Sequence, residues 1–296
     1  MFGMTKPVLF LFYKRPYETL RVFKEIEKYK PKKLFLSSDG SNNYVEYKLI
    51  MNLRNEVLKR ITWDCHVETK FNETNLGLAK GVSSAITWFF DNVEDGIILE
   101  DDCVPNKEFF LFCETMLNKY KNNKNIFMVS GNNFINNKYV SNDSYFFSKY
   151  AHIWGWASWR DKWENYSLNI EDVEFEYDSM KEMYFWENWF KDIRLNHLLT
   201  WDVQWLHAIW KNKGLIIYPN KNLVCNIGFG SNATNTKKTP KFLLNQKWEK
   251  LSFPLKHPSK ITRNVEADKI TFKTWFDKGF KVFIPNTILR ELKKWV

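Results

Sequence analysis

The sequence predicts an α/β protein built on a mostly parallel central sheet flanked by helices. Two observations predict it. Across residues 1–130, short apolar runs of strand length alternate with segments of helical period, and polar residues gather just after the apolar runs. Such alternation implies parallel strands joined by right-handed crossovers. In sheets of that kind, ligands bind beyond the carboxyl ends of the strands.

Val8 to Tyr13 is a short apolar run after Pro7 and reads as a buried strand. Pro16 opens a helix to about Tyr29, with Leu20, Phe23 and Ile26 at helical spacing, and Pro31 ends it. Lys33 to Ser38 is a second strand closing on the turn signal Asp39-Gly40. A helix follows over Tyr44 to Arg60, then a strand over Cys65 to Phe71. Asn75 to Asn92 is a loop and helix with Ala79, Val82, Ile86 and Phe89 on one face. Gly96 to Leu99 is a fourth strand, wholly apolar and closed by Glu100-Asp101-Asp102. Asn106 after Pro105 caps a helix to about Tyr120, and Ile126 to Ser130 is a further strand. Beyond residue 145 the pattern changes. Tyr150 to Trp163 is dense in Trp and Gly, an acidic aromatic helix follows, and Thr200 to Trp205 leads into another helix. Leu215 to Tyr218 is a strand, a glycine-containing loop begins at Ile227, and a basic amphipathic tail runs from Lys238 to Val296.

The 296 residues suit one main α/β domain with additions. Low-GC codon usage accounts for the many Phe, Tyr, Asn and Lys residues but not for fourteen Trp, so some aromatic side chains are expected to line a groove. The net charge of +10 suits an anionic partner. The lysines are scattered and no nucleic-acid motif is present, so nucleic acid is not expected as a partner. Cys65, Cys103, Cys113 and Cys225 show neither a CxxC pair nor zinc spacing, which fits reduced thiols and a cytoplasmic location. The start of the chain does not read as a signal peptide, and no apolar stretch approaches the ~20 residues that span a bilayer.

The most informative feature is the run of three carboxylates after Ile97-Ile98-Leu99. Neighbouring side chains of a strand point to opposite sides, so Glu100 and Asp102 are expected to share one direction and Asp101 to take the other. Mg2+ and Mn2+ prefer hard oxygen ligands and need few from the protein when phosphates supply the rest. Charge developing on a departing diphosphate is what such an ion neutralises. Arg15 and Asp39 also follow strands, which places them with the acids in one crevice.

Taken in order, several segments resemble a GT-A-type glycosyltransferase, a nucleotide-diphospho-sugar transferase fold. The resemblance is to the group of N-acetylglucosaminyltransferase I and the bacterial haemolysin HlpA-like proteins. The segments are residues 7–16, Leu36 to Gly40, Asn75 to Leu78, Ile98 to Asp102, Val129 to Asn132, Ile153 to Ala157, Thr200 to Trp205 and Asn226 to Gly230. The resemblance implies a catalytic domain over residues 1–235, divided into a nucleotide-sugar-binding half (1–130) and an acceptor and catalytic half (131–235), with an extension over 236–296. It implies inverting, metal-dependent transfer of a sugar from a UDP-sugar to a glycan or to a lipid- or protein-linked acceptor, in bacterial surface polysaccharide synthesis. Mn2+ or Mg2+ is held at Asp102.

By the same resemblance Arg15 contacts the nucleotide or pyrophosphate, Asp39 the uracil, and Asn75, Gly77 and Lys80 form the donor-side loop. Glu100 goes to the donor sugar and Asp101 to the ribose. Asp202 is the base that deprotonates the acceptor hydroxyl. Trp154, Gly155, Trp156 and Trp201 form a wall for sugar or acceptor. Local readings stand beside these: Asp39 as a simple turn residue, and Asn75 and Asp202 as helix caps. The family commonly carries a histidine where this chain has Asn235. Two other functions compete: a sugar nucleotidyltransferase, and a non-catalytic glycan- or nucleotide-sugar-binding protein. The first usually carries a glycine-rich loop after the first strand, and Tyr13-Lys14-Arg15-Pro16 has no glycine. The basic tail either docks on anionic membrane or packs on the domain.

Overall fold

A computed structural model describes residues 5–135, 141–229, 247–277 and 279. An eight-stranded sheet in the order β3-β2-β1-β4-β8-β6-β9-β7 forms the centre. Its first half comprises β1 (Val8–Phe12), β2 (Lys33–Ser38), β3 (His66–Phe71) and β4 (Asp95–Glu100). All pairings within that half are parallel. The connecting helices are α1 (Pro16–Tyr29), α2 (Tyr44–Lys59) and α3 (Gly77–Asn92). Each crosses back between parallel strands as the alternation requires.

The second half is mixed. β8 (Trp156–Trp159) runs antiparallel to both β4 and β6 (Ile126–Ser130). β9 (Leu215–Pro219) pairs parallel with β6, and β7 (Tyr145–Ser148) antiparallel with β9. A separate ribbon joins β5 (Cys103–Pro105) to β10 (Val224–Asn226). β5, β7, β8 and β10 were not expected from sequence. They are four residues or fewer and mostly buried, too short to show alternation.

Alternate residues of the strands feed two cores. Val8, Phe10 and Phe12 of β1 face one, while Leu9 and Leu11 face the other. Ile97 and Leu99 of β4 divide from Ile98 in the same way. α1, α2 and α4 (Lys107–Tyr120) cover the first face. α3, α5 (Arg160–Trp163), α6 (Met180–Arg194), α7 (Asp202–Lys211) and α8 (Val265–Thr271) cover the second. The sheet is therefore buried on both sides, which is why its central strands are continuous apolar runs.

The caps agree with the sequence. Asn43 and Asn106 accept backbone N–H bonds from Glu46 and Phe109, at 3.0 and 2.9 Å. The described part of the C-terminal tail packs on the domain. Leu251 and Leu255 enter the first core, and Ala267 and Phe272 the second. His257 Nδ1 lies 2.9 Å from the Tyr145 hydroxyl, and Asp268 accepts a bond from Ser148 at 2.5 Å. Residues 247–277 thus share the cores of the preceding chain, and the tail's last residues, 280–296, lie outside the described residues. Among the described residues no helix is long and apolar enough to cross a membrane.

Candidate functional site

Two adjoining cavities open at the carboxyl ends of the parallel strands, and Arg15, Leu78 and Glu100 line both. The first, of about 860 Å3, lies over β1 and β2 and is also lined by Tyr13, Asp39, Asn75, Gly77 and Asp101. The second, of about 380 Å3, is lined by Asp102, Asp202, Asn226 and a wall of aromatic side chains.

The floor of the first cavity is set by Asp39. Its carboxylate accepts the backbone N–H groups of Gly40, Leu76 and Gly77 at 2.9 to 3.1 Å, and the Asn72 amide at 3.0 Å. It therefore caps α3 from another element and fixes the loop before it. Asn75 completes that loop by donating to the Tyr13 hydroxyl (2.8 Å) and the Gly40 carbonyl (3.0 Å), while accepting from Gly77 N–H. Below, Arg54 is buried and donates to the carbonyls of Ser38, Asp39 and Asn72 at 2.9 to 3.0 Å. Sequence reasoning missed Arg54. Arg54 shares the buried face of α2 with Ile50, Leu53 and Val57, and that i, i+4 placement was the signal that could have found it. Gly40 is required by space: a Cβ there would lie 2.5 Å from the Thr74 carbonyl oxygen and 2.6 Å from the Glu73 carbonyl carbon. Lys80 is exposed and lines neither cavity. It lies in the first turn of α3 and not in the loop before it.

The acids sit between the cavities. β4 ends at Glu100, and Asp101 and Asp102 form the turn that follows. Asp102 lines the aromatic cavity and Asp101 the first, while Glu100 lines both. Arg15 bridges the pair: Nη2 donates to Asp101, and Nη1 donates to Asp102 Oδ2 at 3.0 Å. The other Asp102 oxygen accepts from the Asn226 amide at 3.2 Å and the Cys103 thiol at 3.3 Å. Burial pushes Glu100 well above the usual carboxylate range, and the charges of Asp102, Asp101 and Asp202 push it further. Burial raises Asp101 to about 6 against the opposing pull of Arg15.

Asp202 arrives from far along the chain. It is the first residue of α7, its carboxylate accepts a hydrogen bond from the Thr200 hydroxyl, and Gln204 holds the Thr200 carbonyl at 2.6 Å. Trp154 and Trp201 line the cavity beside it. Trp156 does not. It is fully buried, with its ring centroid 5.9 Å from that of Trp201, and belongs to the second core. Its expected place in the wall is corrected accordingly. Gly155, at φ +63°, turns the chain between the two tryptophans, and a Cβ there would meet Val224, Leu99 and Phe109 in the core. Gly155 thus aims its neighbours and offers no surface to a ligand.

The rest of the wall was not read from sequence. Phe185, Trp186 and Trp189 of α6 contribute, as do Trp275 and Phe276 from a π-helical turn over Phe272–Phe276. Their helical spacing in α6 was visible, but their target was not. The segment Gly228-Phe229 closes the cavity from above. Gly228 N–H donates to Asn226 at 2.8 Å, and any Cβ on Gly228 would land on Asp102 Oδ2 and lie 2.9 Å from Arg15 Nη1. Residues 230–235 of this loop, Asn235 included, lie outside the described residues.

No family model matches the chain, and no curated protein matches it. Among solved structures, similarity is found to HddC from Yersinia pseudotuberculosis, at 11% identity and a TM-score of 0.34, covering 59% of this chain and 85% of that one. The same protein complexed with GMP-PN gives 12% identity and the same TM-score over 59% of this chain and 85% of that one. UDP-glucose pyrophosphorylase complexed with UDP-glucose gives 11% and 0.34 over 73% of this chain and 90% of that one. Likeness at that level decides neither fold nor function. The reading below rests on the site itself.

A divalent ion can be tested against the residues present. Asp102 offers a hard carboxylate lining the aromatic cavity, in a group of four acids whose one Lys or Arg ion-pair partner among the described residues is Arg15. That charge excess fits a cation. No cluster of three or more His, Cys, Asp or Glu among the described residues is arranged to hold a metal by itself. Asp102 therefore fits as a single protein ligand whose partners come from a bound diphosphate.

Proposed function

We propose that the chain is a GT-A-type glycosyltransferase of inverting mechanism that takes a nucleotide-diphospho-sugar, with UDP as the nucleotide, as donor and a glycan or glycoconjugate as acceptor. One observation carries the reading. Asp202, a hundred residues after the acid cluster, lines the same cavity wall as Glu100 and Asp102. The larger cavity over β1 and β2 has the size and polar floor for a nucleoside, within the roughly 300–1,000 Å3 usual for small-molecule sites.

In this reading the nucleoside lies over Asp39 and Asn75, and the diphosphate lies at Arg15. Mn2+ or Mg2+ at Asp102 supplies charge neutralisation for the departing diphosphate. Asp202 takes the proton of the acceptor hydroxyl as its oxygen bonds to the anomeric carbon. The bond from that carbon to the diphosphate oxygen breaks, and the nucleoside diphosphate leaves with the electron pair. Thr200 fixes one carboxylate oxygen of Asp202 and leaves the other for the acceptor. Glu100, raised well above the usual carboxylate range by burial and then by the charges of Asp102, Asp101 and Asp202, would serve as a hydrogen-bond donor to a sugar hydroxyl.

Nucleotidyl transfer to a sugar phosphate is the second reading. The paired carboxylates Asp101 and Asp102, beside the nucleotide cavity and bridged by one arginine, suit a metal–nucleoside triphosphate complex equally well. The absence of glycine from Tyr13-Lys14-Arg15-Pro16 speaks against it. One experiment separates the two. The protein is incubated with Mn2+ and either a UDP-sugar panel with glycan acceptors or UTP with sugar 1-phosphates, and the products are read by phosphorus NMR. UDP release that depends on acceptor is expected. Pyrophosphate release with formation of a UDP-sugar establishes the second reading, and no turnover with intact UDP binding leaves a binding protein.

A further inference from the structure

We propose that the aromatic cavity in front of Asp202 selects an acceptor that is an uncharged pyranoside and excludes one bearing a carboxylate or phosphate there. The inference rests on the glycosyl-transfer reading and names the substrate class of that same site.

The charge of the lining carries it. Asp202 faces the cavity together with Asp102, with Glu100 beside them, and the only Lys or Arg among the described lining residues is Arg15. Arg15 already places one terminal nitrogen on Asp101 and the other on Asp102. An anion entering here loses water beside the Asp202 carboxylate and meets no uncommitted Lys or Arg among the described lining residues. An ion at Asp102 would already be matched by the donor's diphosphate. That arrangement rejects wrong partners. His152 is the remaining lining residue capable of positive charge. Burial holds it down to about 3, so it is neutral at physiological pH.

The shape points to what is admitted. Trp154, Trp189 and Trp275 line the cavity and are each partly exposed. Trp154 and Trp275 meet nearly at right angles, with ring centroids 5.6 Å apart at 82°. Such a corner offers two flat apolar faces with carboxylates at its mouth. A neutral pyranoside matches both parts, presenting C–H faces to the rings and hydroxyl donors to the acids. The second cavity, at about 380 Å3, is of small-molecule size and much smaller than the nucleotide cavity.

Saturation-transfer NMR on the full chain, with and without UDP and Mn2+, tests this on matched ligands. Methyl β-D-glucopyranoside is compared with methyl β-D-glucopyranosiduronate, and methyl β-D-galactopyranoside with its uronate. The neutral member of each pair is expected to bind roughly tenfold more tightly or better. Trp189→Ala should abolish that signal while UDP binding persists, and Trp275→Leu provides the same readout from a separate element. Asp202→Asn should admit the uronates more readily. Equal or tighter binding of the uronates by the wild type overturns the proposal. So does a failure of both members to bind. UDP-sugar turnover is followed in parallel. Selective glycoside binding without turnover sinks the transfer reading and leaves the charge selection standing.

Discussion

The two cavities differ in how they are held. The larger cavity, over β1 and β2, is built from loops that follow parallel strands, and its key carboxylate is saturated by backbone donors and braced by a buried arginine. The aromatic side is assembled from elements distant in sequence: the turn after β4, the start of α7, α6, the strand-like segment at Asn226–Phe229 and the π-helical turn near residue 275. Its acids are held by side chains: Arg15, Asn226 and Cys103 at Asp102, and Thr200 at Asp202. The first region is rigid by construction, as a site for an invariant ligand part needs. The second is under-compensated in charge and depends on what binds there.

Substitutions at matched positions sharpen that contrast. The largest effect is expected for Asp202→Asn, which should lower transfer by about 10²–10⁴-fold, the range for loss of a positioned base. UDP affinity measured by calorimetry should stay unchanged. Near wild-type transfer by this protein would remove Asp202 from the mechanism. Next come the two close-approach glycines. Gly40→Ala forces a methyl into backbone and should cost on the order of 1–3 kcal/mol of stability, read as a lowered urea midpoint. Gly228→Ala meets mobile side-chain ends instead, so it should spare the urea midpoint but weaken Mn2+-dependent UDP binding by displacing Asp102. If both variants lose stability equally, the distinction between braced and unbraced regions fails.

Thr200→Val should lower transfer about tenfold, reflecting a lost hydrogen bond to a charged group, with Thr200→Ser retaining most of the rate. A rate for Thr200→Val equal to the wild type would show that Asp202 needs no second hand.

The smallest effect is in pH. Asp101 is raised from 3.8 to about 6 in the folded protein. Between those values the folded state binds more protons than the unfolded state, so stability falls as pH rises through about 6. This contribution is fully present below 3.8 and absent well above 6. In Asp101→Asn the slope of Tm against pH across this window should flatten, and an unaltered slope would place the proton uptake elsewhere.

The same contrast explains what the sequence disclosed. The ends of α1 and α4 could be read because Pro16 and Asn106 act locally, through φ restriction and a side-chain cap. Arg15, Asp39 and Glu100 to Asp102 could be found because a parallel strand's end is itself a location. Asp202 was visible only through its resemblance to a family motif, and the structure brings it to the acids. Trp156 and Trp154 are two residues apart around a glycine with positive φ, and no local rule tells which of them meets ligand and which meets core. Trp275 is still less legible, because its role depends on residues 247–277 folding back onto a sheet laid down by residues 8–219. Asp39 shows a further limit. The turn was foreseen, but not that its carboxylate would be occupied by the next helix.

That folded-back segment has a consequence for what a clipped chain would keep. The described residues lining the larger cavity all lie at or before Asp101, whereas the wall bearing Trp275 follows far later in the chain. A chain clipped between the two would keep the lining of the larger cavity and lose part of the aromatic wall. On the proposed reading, such a fragment would hold donor without the enclosure that keeps water from the anomeric carbon.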